Sequence, residues 1–79
     1  MTHFQFTHAK AMMATAVNDR DIATAKLALG LLVGIVASAV DNEIESAKIF
    51  SHGVAVTRID SMETLTNRAA WVIRKFPKD

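Results

Sequence analysis

Apolar side chains at Phe6, Ala9, Met13, Ala16 and Val17 recur at helical intervals and line one face of a helix. The spacing predicts a first helix from about Thr2 to Val17, with Thr2 and Gln5 at capping-box distance. A rival reading gives Phe4 and Phe6 to a short strand and starts the helix at Thr7; the all-helix version is preferred. Asn18-Asp19-Arg20-Asp21 is a polar break. Asp19 or Asp21 offers the next helix a side-chain acceptor and a negative charge at its N-terminus.

From Ile22 to Ser51 there is no proline, and between Leu27 and Val40 the only polar side chain is Ser38. Beyond Val40 the pattern turns amphipathic. Val40, Ile44 and Ala47 are expected to point inward, and Asn42, Glu43, Glu45, Ser46 and Lys48 outward. The stretch predicts a long central helix of roughly 30 residues, about 45 Å at 1.5 Å per residue, with Asp41-Asn42 as the place for a break. The β-branched cluster Val33, Ile35 and Val36 leaves a buried strand as a minor alternative.

Gly53, after His52, predicts a helix stop, and Val54–Ile59 reads as extended. Asp60 and Glu63 are expected to open a last helix whose apolar stripe is Met62, Leu65, Ala69, Val72, Ile73 and Phe76, ended by Pro77. If residues 4–6 and 54–59 are both extended, they pair as a two-stranded ribbon, because a lone strand leaves its backbone groups unsatisfied. The expected fold class is mostly α. It is a small helical bundle with a long central helix, a minor ribbon as a variant, and one domain over residues 1–79.

Composition sharpens this picture. Thirteen alanines and a single proline favour helix. No cysteine is present, which excludes disulfides and thiolate zinc sites and suits a reducing cytoplasm. The start, Met1-Thr2-His3-Phe4, lacks the basic region of a secretory signal. Apolar residues are 51% of a 79-residue chain. A domain this small buries only about 60–65% of its unfolded surface, so part of its apolar surface is expected to be covered by a second copy, another protein or a bilayer. Net charge is +1, but residues 1–47 hold three basic and five acidic side chains, and residues 48–79 six and three.

Two constellations stand out. Gly30 and Gly34, followed by Ala37 and Ser38, form a small-residue groove that lets another helix approach closely; Lys26 lies at its N-terminal end. These positions are the candidate oligomerisation surface. The second is Trp71, flanked by Arg68, Arg74 and Lys75, an aromatic set among cations of the kind found at binding hot spots. The plain alternatives are an internal helix contact for the glycines and an indole that caps the edge of the core.

Catalysis and metal binding find little footing. His3 and His8 are five apart and miss the spacing that puts two ligands on one helical face. Ser51 and His52 are adjacent and diverge on a helix, and no phosphate loop or paired-carboxylate motif occurs. The expected function is a cytoplasmic, non-enzymatic protein that needs no cofactor, binds another protein stoichiometrically as a regulator or inhibitor, and works as a homodimer. Its size suits an accessory protein of a phage or other mobile element. One alternative is a nucleic-acid-binding protein using the basic last helix. The other is a small membrane protein spanning with Ile22–Val40, 19 residues interrupted by Thr24 and Lys26.

Overall fold

The computed structural model describes residues 2–77; the side chain of Thr2, and with it the capping pair expected with Gln5, falls outside that description. Four helices follow in order: α1 (Thr2–Asn18), α2 (Ile22–Ala39), α3 (Glu43–Ser51) and α4 (Met62–Arg74). A one-turn 3-10 segment, Val56–Arg58, lies between the last two. The Cα radius of gyration is 11.6 Å. That matches the roughly 12 Å of a compact folded chain of this length.

α2 is the hub. It packs along α1 most extensively, then against α4 and α3. α1 runs antiparallel to it: Phe4 and Ala9 lie beside Leu31 and Ile35, and Met12 beside Ala23 and Leu27. The core takes Phe6, Ala9, Met13 and Ala16 from α1, as their spacing requires, and Leu65, Ala69 and Val72 from α4. α2 supplies Leu29, Leu32 and Val36, with alanines between them that let neighbouring helices come close.

The caps follow local chemistry. Asp21 caps α2 through bonds from the Thr24 amide (3.1 Å) and the Thr24 hydroxyl (2.6 Å). The hydroxyl bond, then the amide bond, holds the Asp21 carboxyl below its ordinary range. Asn42 caps α3 by accepting from the Glu45 amide at 3.0 Å. Ser61, not Asp60, caps α4, accepting from the Thr64 amide at 3.2 Å. Asp60 lies instead 3.8 Å from the Lys26 ammonium, an exposed pair that contributes little.

Two further expectations are corrected. The central helix is two helices: Val40 and Asn42 are extended, and the chain turns back so that Ile49 of α3 is fully buried. The Ser46 hydroxyl stabilises this turn by donating to the Ala37 carbonyl, one of the last in α2, at 2.8 Å. Because α3 starts afresh at Asn42, the continuous helical phase is lost. Ile44 then faces outward at 70% exposure, and Ala47 is exposed.

The ribbon does not form, and no strand occurs among the described residues. Residues 4–6 belong to α1, whose continuous hydrogen bonding satisfies them. Residues 54–59 satisfy their amides locally, Arg58 to the Ala55 carbonyl at 2.9 Å and Ile59 to the Val56 carbonyl at 3.2 Å. Lys26 reaches across to the Thr57 carbonyl at 2.8 Å.

The helix stop expected at Gly53 is found, since α3 ends at Ser51 with His52 as its C-cap, and Gly53 is not left-handed. Gly53 lies close to α2, where a Cβ would meet the Val33 Cγ1 at 3.1 Å, a tight contact. The left-handed residue is Ala55, at φ 58° and ψ 27°. Ala55→Gly relieves that conformation and is expected to stabilise the fold by about 0.5–1 kcal/mol, the left-handed cost of alanine outweighing glycine's greater unfolded entropy. Urea unfolding reads the effect; a destabilised Ala55→Gly variant contradicts it.

Candidate functional site

The apolar surplus of the composition is concentrated on one side. The outer face of α2 shows Leu27 at 65% and Leu31 at 48% exposure, with Ala23, Gly30 and Ser38 also exposed. Phe50 (52%) and Val54 (67%) border Gly30 and Gly34 from the end of α3 and the turn beyond it. Phe4 and Ile35 extend the face past Leu31. Three shallow depressions therefore merge through Leu31 and Gly30 into one surface.

A Cβ built on Gly30 or Gly34 meets nothing within 4 Å beyond its own helix backbone and chain neighbours. No internal contact in the described chain needs these glycines to be small. They cost about 1 kcal/mol each in helix propensity relative to alanine, and the fold alone does not offset it. Of the four positions read as an oligomerisation surface, Gly30, Gly34 and Ser38 lie on this side. Ala37 turns into the core, because Gly34 plus three and Gly34 plus four fall on either side of the boundary.

The α4 constellation divides in two. The Trp71 ring is half-buried and stacks on His52, centroids 3.9 Å apart and planes 8° from parallel. The Lys75 ammonium lies 4.8 Å from the indole, and an Arg68 Nη1–H donates to the His52 carbonyl at 3.2 Å. Arg68 and Trp71 thus tie α4 to the end of α3, which the sequence could not show because His52 is distant along the chain. Trp71→Ala removes this stack and is expected to cost about 1–2 kcal/mol of stability, seen as a lower melting temperature. An unchanged melting temperature would show that the stack holds nothing.

Arg74 and Lys75 are exposed, and among the described residues no carboxylate lies within ion-pair distance of either. Arg74 borders a cleft between α4 and α1 that also takes His3, Phe6, Lys10 and Phe76. Phe6 and Phe76 stack at 3.9 Å and 3°, and the Lys10 ammonium lies 5.2 Å from the Phe6 ring. This cleft is not among the sites expected from the sequence. Phe6 and Lys10 at i and i+4 on α1 were the available signal.

Comparison with known protein families, with curated proteins and with solved structures gave no match.

The histidines do not converge. His3 lies beside Phe76, His8 borders Phe4 and Leu31, and His52 stacks on Trp71. No group of three or more His, Cys, Asp or Glu side chains able to hold a metal ion occurs among the described residues. The Ser51 hydroxyl and the His52 Nδ1 both address the Lys48 carbonyl rather than one another.

Proposed function

We propose that the chain is a small, non-enzymatic, cytoplasmic protein-binding regulator or inhibitor that acts stoichiometrically as a homodimer. The observation that carries this reading is the pairing, on one helix face, of protruding Leu27 and Leu31 with the open glycines Gly30 and Gly34. Knobs and holes one turn apart make the face complementary to itself under a two-fold axis. Leu27, Leu31, Phe50 and Val54 supply exposed apolar side chains for the centre of an interface, which in a standard complex buries roughly 800 Å² per partner. Among the described residues the only charged side chain bordering these depressions is Lys26, and it is turned onto the Thr57 carbonyl. A two-fold pairing therefore brings no like charges together.

The partner contact is assigned to the α4 side, where Arg74 and Lys75 are exposed beside Arg68 and Trp71 and meet no carboxylate within ion-pair distance among the described residues. Acidic protein surfaces suit that set, since guanidinium groups bind carboxylates in a bidentate way. A nucleic-acid reading draws on the same exposed cations. A membrane reading draws on α2, an 18-residue helix of mean hydropathy 2.0, of which 39% is buried in the bundle.

Sedimentation of the purified chain in detergent-free buffer tests the proposal. Two-chain mass at micromolar concentration is expected. A one-chain mass overturns the dimer, and recovery only in detergent favours the membrane reading.

A further inference from the structure

We infer that the cleft between the start of α1 and the end of α4 is a binding site for an acidic peptide segment that carries an apolar side chain next to its carboxylates. This inference rests on the protein-binding reading and adds to it a site and a ligand chemistry. The floor is the Phe6–Phe76 stack, flat and apolar, with Ile73 beside it. The rim carries His3, Lys10 and Arg74, and no aspartate or glutamate borders the cleft among the described residues.

Two features separate this arrangement from a merely solvated basic face. Lys10 comes from α1 and Arg74 from α4, so the tertiary fold, not a run of sequence, collects the charges. Neither is within ion-pair distance of a carboxylate in the described chain. The cleft, about 690 Å³, has room for one large apolar side chain between the cations. A carboxylate bound there would meet two positive charges at the edge of an apolar floor, where attraction is screened less than over open water. A bare phosphate would use the rim and leave the floor empty, so the aromatic floor favours a peptide.

The test uses the full chain and two short synthetic peptides, one with two glutamates flanking a leucine and one with glutamines in their place. The first is expected to move the backbone amide resonances of Lys10, Ile73 and Arg74, to bind more weakly as ionic strength rises, and to bind at least tenfold more tightly than the second. Lys10→Glu and Arg74→Glu should each weaken it about tenfold or more, with far-UV circular dichroism and the sedimentation mass unchanged. Lys10→Gln should give a smaller loss. Equal binding of the two peptides, or resonance shifts confined to the α2 face, overturns the site. Displacement by inorganic phosphate at the same concentration, or tighter binding of a single-stranded oligonucleotide, overturns the peptide assignment. A one-chain mass with peptide binding intact overturns the dimer and leaves the cleft standing; the converse result overturns the cleft alone.

Discussion

Gly34→Leu is expected to leave each chain folded and to separate the proposed dimer. In the isolated chain a Cβ at residue 34 meets nothing within 4 Å and the rest of the side chain lies in the shallow depression beside Phe50 and Val54, and replacing a mid-helix glycine gains up to about 1 kcal/mol of helix propensity. In the dimer it fills the groove that Leu27 and Leu31 of the second copy would enter, and overpacking costs about 1–3 kcal/mol. The two-fold axis applies that cost at both ends of the contact, so the dissociation constant should rise by about thirtyfold or more. Leu31→Glu should act in the same direction by placing desolvated carboxylates on the face. Sedimentation and thermal melting on the same samples separate the effects: one-chain mass with an equal or higher monomer melting temperature is expected. Loss of helix content in Gly34→Leu would mean that the glycine serves an internal contact after all.

Leu32→Ala is expected to unfold much of the population, although Leu31→Ala next to it leaves the single chain's stability nearly unchanged. Leu32 is 0% exposed at the centre of the bundle, and Leu31 is 48% exposed on the outer face. Truncating a fully buried leucine costs about 2–5 kcal/mol through lost transfer energy and the cavity left behind. A domain of this size has only about 3–5 kcal/mol to lose. An exposed leucine away from such features changes stability by about 0.5 kcal/mol or less. Urea unfolding should be measured in the Gly34→Leu background, so that dissociation does not add a concentration-dependent term. Equal destabilisation by the two alanines would contradict the burial pattern.

The helical class, the extent of α1 and the inward stripe of α4 were legible because they depend on residues three and four apart. Phe6, Ala9, Met13 and Ala16 reach the core as their spacing requires, as do Leu65, Ala69 and Val72. The direction of α3 was not legible. Its inward side depends on the phase lost at Val40–Asn42, and a hydroxyl from Ser46 to the Ala37 carbonyl fixes that break. The run Val54–Ile59 resembled a strand in composition, but a strand needs a partner and none was within reach, so its amides closed local turns instead.

The candidate sites divide along the same line. Residues within one helix turn, such as Leu27 with Gly30 and Leu31 with Gly34, could be grouped from the chain alone, together with the surplus of apolar surface they contribute to. Their outward orientation could not, because the run Leu27–Val40 is apolar all round and only packing against α1, α3 and α4 selects which side is left bare. The same holds for Trp71, whose partner His52 is supplied by α3, and for the cleft, whose cations come from opposite ends of the chain. Sequence by itself determined the helices and the excess of apolar residues, since both follow from local propensity and composition. Tertiary structure decided which face stays open and which distant side chains meet, because those depend on how helices pack once each has formed.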